Sequence, residues 1–174
     1  PGNYVGQDFF FGDPRDDEDT SLGPCRLIKE DDHESWLKLK HKKDVEVDGL
    51  YWQLEDAIRT FLCVVALKDL RGIKGAHNTM LVNVSRFNLV QQKVALNIQD
   101  MLEEIKTQVR AYGAMGEEEA VSQSTEIAAL RRTFNSEFPE SEHDFQEVLK
   151  FLSDQSRRRF VSVDLVNGLS KPKD

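Results

Sequence analysis

The run "HNTMLVNVSRFNLVQQKV", His77 to Val94, decides how the chain is read. Its first part, Thr79 to Val84, is short, rich in β-formers and bounded by turn residues, which predicts a buried strand. Ser85 follows in the position of a helix N-cap. Apolar residues then recur at helical spacing, Val90, Val94, Ile98, Met101, Leu102, Ile105 and Val109, as far as Gly113. A strand that passes at once into a helix makes the corner where open α/β sheets place their ligands. Ser85 and Arg86 are therefore the first candidate contact residues. An arginine in the first turn is disfavoured by the helix macrodipole unless something pairs with it. His77, at the entry to the strand, joins them.

Outward from this run the pattern is mostly helical. Upstream, Leu54, Ile58, Phe61, Leu62, Val65 and Leu70 predict a helix from Leu50 to Arg71, stopped by Gly72. Cys63, Val64 and Ala66 carry apolar character onto its other faces, so it reads as central. Downstream, "YGAMGEEEA" breaks the second long helix. A third helix is expected from Ala120 to Phe138, with Ile127, Leu130 and Phe134 inward and Pro139 ending it. A fourth starts near Ser141, where Ser141 and Asp144 have the spacing of a capping box. Phe145, Val148, Leu149 and Leu152 form its inner face. "FVSVDLV", Phe160 to Val166, alternates and predicts a last strand. Two strands joined through helices cannot form a hairpin. The order predicts an α/β fold, helix-rich, with an incomplete open parallel sheet and a helical insertion.

Residues 1–48 read as an irregular acidic segment with one short helix, and residues 49–174 as the helix-rich α/β domain. "NYVGQDFFF", Asn3 to Phe11, is apolar enough for a strand or a docked segment that buries Phe9, Phe10 and Phe11. The short helix is expected from Asp31 to Lys43, capped by Asp31 or Asp32, with Trp36, Leu37 and Leu39 packing. It ends in a basic cluster that suits a helix C-terminus.

The 174 residues are 39% apolar and 31% charged, the composition of a soluble protein with a real core. No apolar run is as long as a membrane span and no signal-peptide pattern opens the chain. Cys25 and Cys63 lack metal spacing and fit a cytoplasmic protein without a disulfide framework. The first residue, Pro1, reads as the start of a processed chain or of a piece of a longer one. The net charge of −8 arises in residues 1–56, which hold 15 acidic and 7 basic residues, because residues 57–174 hold 16 of each. This argues against a surface that grips nucleic acid all over. Local basic clusters remain candidates, at Lys38, Lys40, Lys42 and Lys43 and at Arg157, Arg158 and Arg159.

Motifs that carry chemistry are mostly missing. There is no GxxxxGK[ST] loop, no HExxH and no GxSxG. Glu104-Ile105-Lys106 has the spacing of a nuclease Glu-x-Lys, yet lies mid-helix, where an exposed charge pair is the simpler reading. Asp44, Glu46 and Asp48 read as a solvated turn rather than a metal site. His33, His41, His77 and His143 are well separated and share no obvious partner.

"LEDAIRTFLCVVALKDLRGIKGAHNTMLVNVSRFNLVQQKV", Leu54 to Val94, resembles the Z-one domain, a family that carries an endonuclease label. The matching residues are Ala66, Leu70, Arg71, Gly72, His77, Thr79, Met80, Leu81, Val84 and Ser85. Tyr4, Gly6, Phe9 and Phe10 resemble the aromatic and glycine-bearing segment that precedes it, so the likeness spans roughly residues 1–112. It implies a superfamily-two helicase or translocase ATPase of a bacterial restriction or phage-defence system. Such proteins stand beside nucleases, methyltransferases and GHKL-type ATPases. The Met-Leu-x-x-Val-Ser strand would belong to the second RecA-like motor lobe, and "SVDLVNG" to a later strand of that lobe. The phosphate loop, the Mg²⁺-binding acidic box and the arginine motif of such motors are absent from this chain. The resemblance therefore implies ATP and Mg in the parent protein, no cofactor here, and no catalytic site of its own.

The expected role is thus a contact made with DNA, with the other motor lobe, or with nuclease or ATPase components of a defence operon. Candidate contact residues are Ser85, Arg86, His77, Arg71, Lys42, Lys43, Arg157 and Arg158. Two other readings stand beside it. One is a non-catalytic protein-interaction module, motivated by the acidic N-terminal third. The other is a metal-dependent endonuclease, motivated by the family label and scattered carboxylates.

Overall fold

The computed structural model describes residues 33–73, 77–156 and 160–166. The chain forms two compact units, residues 1–40 and residues 41–174. In the first, the described part is helical only at residues 33–34, where the Leu37 N–H donates to the His33 carbonyl at 2.8 Å. Turns follow, so the helix expected from Asp31 to Lys43 does not continue; Leu37 is buried as anticipated, but Leu39 is exposed. The expectations for Asn3 to Phe11 and for Cys25 fall outside the described residues.

Among the described residues the second unit holds five helices: α1 (Trp52–Leu70), α2 (Asn88–Tyr112), α3 (Glu117–Gln123), α4 (Thr125–Glu137) and α5 (Phe145–Ser156). Among the described residues there is no strand and no sheet, which corrects the α/β expectation. Thr79 to Val84 and Phe160 to Val166 form neither helix nor strand, and neither has a strand partner within the described part. β-propensity records how a residue suits a pleated, half-buried surface, and extended backbone becomes a sheet only when a second strand pairs with it. Burial tells the same story. Leu81 is 88% exposed and Val166 85%, where a central strand would have hidden both.

The helices follow their apolar periodicity. Ile58, Leu62, Ala66 and Leu67 bury one side of α1, and Val90, Val94, Ile98, Leu102, Ile105 and Val109 form a continuous stripe on α2. Both long helices pack against α4 and α5, and the most extensive pairing is α2 with α5. Ile127, Leu130 and Phe134 meet Phe145, Val148, Leu149 and Leu152 in the shared core. The Phe134 ring lies 5.8 Å from those of both Phe138 and Phe145.

Local chemistry sets the helix ends. α1 stops in a Schellman motif: Gly72 has φ +76°, its N–H donates to the Asp69 carbonyl, and the Ile73 N–H donates to that of Lys68. The single helix expected from Ala120 to Phe138 is split at Ser124. That residue is extended, at φ −141°, and its hydroxyl accepts from the Ile127 N–H, so it caps α4. The box expected at Ser141 lies three residues later. Asp144 Oδ1 accepts from the Glu147 N–H at 2.9 Å, and Glu147 Oε2 accepts from the Asp144 N–H at 3.1 Å.

Arg59 ties α1 to α4. It is 7% exposed, and its guanidinium reaches Glu55 and Asp56 on its own helix and Glu126 on α4, all within 3.4 Å. Thr133 donates to Asp56 from the same side. A buried guanidinium needs this company, because a charge left unpaired there would cost several kcal/mol.

Candidate functional site

The corner after Val84 is shaped by one serine, though not as a cap. α2 begins at Asn88 and its N-cap is Phe87, which offers no side-chain acceptor. Ser85 stands two residues earlier and is 8% exposed. Its hydroxyl accepts from the Phe87 N–H at 3.0 Å and hydrogen-bonds His41 Nε2 at 2.8 Å. Its carbonyl accepts from Gln91 Nε2 at 2.7 Å. The turn into the helix is held by these bonds, an arrangement that serine makes easily because its short side chain reaches nearby backbone. The imidazole of His41 also meets the Phe87 ring edge to face, with centroids 5.6 Å apart.

His41 brings a distant segment with it. The stretch 41–49 lies along the first half of α2, fastened by side chains of that helix. Lys93 Nζ donates to the Val45 carbonyl and pairs with Glu46, each at 2.9 Å. Asn97 Nδ2 donates to the Val47 carbonyl at 3.3 Å and to that of Gly49 at 2.7 Å. Val47 is buried beneath these bonds.

Contact between His41 and Ser85 sets their chain neighbours at one corner. Lys42 and Lys43 follow His41, Arg86 follows Ser85, and all three are exposed. The Arg86 guanidinium carbon sits 4.9 Å from the Phe87 ring centroid, a cation–π contact that leaves its N–H groups free of any carboxylate among the described residues. Lys42 and Lys43 likewise have no side-chain partner among the described residues. Asp44 is exposed beside them, and Glu46 is paired with Lys93.

The other candidates lie elsewhere. Arg71, at the end of α1, pairs with Glu142 at 2.9 Å on an exposed surface. His77 is exposed two residues before Thr79, in a stretch that is neither helix nor strand. Arg157 and Arg158 fall outside the described residues. His41, Phe87, Gln91, Lys93 and Asn97 were not among the expected contributors. Ser85 and His41 are 44 residues apart, and no motif marks two such residues as neighbours.

Other chemistry is sparse. Among the described residues no group of three or more His, Cys, Asp or Glu side chains could hold a metal ion. Glu104 bonds Gln108, Lys106 pairs with Glu103, and Ile105 between them is fully buried, as an ordinary helix surface requires. A cleft of about 200 Å³ beside α1 and α5 is lined by Leu62, Val65, Ile73, Phe151 and Phe160 among others, and by none of the candidate contact residues. No helix among the described residues is long and apolar enough to cross a membrane.

A family model described as Z1 domain matches residues 53–173, most of the chain. No curated protein and no solved structure matches it.

Proposed function

The chain belongs to the Z1 domain family, and from that premise we propose that it is the contact module of a helicase-type ATPase. In this reading the parent is a cytoplasmic motor of a bacterial restriction or phage-defence system and draws its ATP and Mg chemistry from other parts. The module meets nucleic-acid phosphates, or the acidic surface of a neighbouring lobe, through Lys42, Lys43 and Arg86.

The observation that supports this is the 2.8 Å bond between His41 and Ser85, which gathers three exposed cations at one corner. Such a cluster in an acidic chain favours a local phosphate contact over general attraction. Neutralising a few phosphates produces weak, sequence-independent binding with a shallow salt dependence, each contact adding about 0.9 to the log–log slope on duplex DNA. Titration of duplex DNA at low and at high salt tests it. The expected result is binding at low salt that fades with a slope of about two to three. The Lys42→Ala, Lys43→Ala, Arg86→Ala triple variant should lose it. Absence of binding at low salt, or binding that survives in the triple variant, would overturn the DNA contact; the first of these would favour a protein-interaction module.

A further inference from the structure

We propose that the cationic corner is a site for single-stranded nucleic acid, in which one unstacked base lies on the Arg86 guanidinium while Lys42 and Lys43 take the flanking phosphates. This rests on the phosphate-contact reading and narrows it from nucleic acid in general to its unpaired form. The observation behind it is the surface on which Arg86 lies. The guanidinium carbon stands 4.9 Å from the Phe87 ring centroid, and the side chain is exposed. Arg86 takes this place without a carboxylate partner among the described residues, in a chain that holds 31 Asp and Glu.

The ring beneath it is anchored. His41 meets Phe87 edge to face with centroids 5.6 Å apart, and the Phe87 N–H donates to the Ser85 hydroxyl at 3.0 Å. His41 is itself bonded to that hydroxyl at 2.8 Å. A planar cation backed by an anchored ring loses little freedom when a second plane is laid on its solvent side. Nucleobases stack in this way on guanidinium planes and aromatic rings, whatever their identity.

The three cations by themselves do not separate a single strand from a duplex, because both offer phosphates. The Arg86–Phe87 stack does. In a duplex each base is covered by its neighbours, so only phosphates reach the corner unless a base is pulled out of the stack at a cost. In a single strand the base faces are open. A nucleotide also brings the plane and the anion in one unit, which suits a guanidinium plane with two unpaired lysines at the same corner.

Fluorescence anisotropy of the 174-residue chain at low salt tests the proposal. The labelled probes are a short mixed-sequence single strand, its duplex, and an abasic strand that keeps every phosphate and has no base. The base-bearing strand should bind about tenfold more tightly than the abasic one, the size of one base–aromatic stack, and more tightly than the duplex. DNA and RNA forms of the strand should bind alike, because the stack touches no 2′-hydroxyl. Arg86→Lys keeps the charge and loses the plane, so the ratio of base-bearing to abasic affinity should fall to about one. Phe87→Leu should lower the same ratio, with far-UV circular dichroism showing that the helices are kept. Equal binding of the abasic strand or of the duplex, an Arg86→Lys protein that keeps the preference, or discrimination between the two sugars would each overturn the stack and leave the phosphate contact standing. If no probe binds at low salt, both readings fall.

Discussion

Cys63 shows what burial does to one residue. It sits on the inner face of α1 with no exposed surface, and desolvation pushes its thiol up from 9.0 to about 12. The folded chain keeps the thiol neutral where the unfolded chain would ionise it. The resulting stability is fully present below pH 9 and is lost as the pH rises from about 9 towards about 12. Chemical denaturation at neutral and at alkaline pH should therefore show a loss that the Cys63→Ala variant largely lacks. A thiol-alkylating reagent should label Cys63 only after denaturant is added. The sequence already pointed to an inert thiol, because Cys63 lies in an apolar run with no metal spacing. Ser85 was less legible. It was expected to cap a helix, yet its hydroxyl serves a turn and a histidine 44 residues away.

At the scale of elements, two glycines end helices for different reasons, and their variants separate them. Gly72 needs left-handed backbone, and a Cβ there would touch nothing within 4 Å. Gly72→Ala should cost about 1 kcal/mol, from conformation alone. Gly113 has an ordinary φ of −68°, but its Cβ would collide with the Val109 carbonyl oxygen and stand 2.8 Å from the Ser153 Cβ. Gly113→Ala must push α5 away from α2 and should cost about 1–3 kcal/mol. Thermal melts of the two variants check the order. Helices were legible because periodicity reports a face, and the stripe on α2 was read residue by residue. Caps were legible in kind and misplaced in position, since several Ser and Asp residues compete for each start and only backbone geometry decides. Thr79 to Val84 and Phe160 to Val166 were read as strands from their composition and alternation, yet neither is a strand among the described residues, and Leu81 is exposed. Pairing was not legible, because it belongs to two segments rather than to one.

Across the whole molecule, Lys42 and Lys43 were visible in the sequence as part of a basic cluster and Arg86 as a lone cation at a helix start. Their gathering depends on the stretch 41–49 lying along α2, a long-range contact that no local pattern announces. That attachment also bears on the order in which the chain assembles. Asn97 holds Gly49 across 48 residues of sequence, and Lys93 holds Val45 across the same distance. Each bond closes a long loop whose entropy must be spent before the bond forms, so both should be absent from the folding transition state. Asn97→Ala should then quicken unfolding in stopped-flow measurements and leave refolding unchanged. If so, the cations assemble last and come apart first.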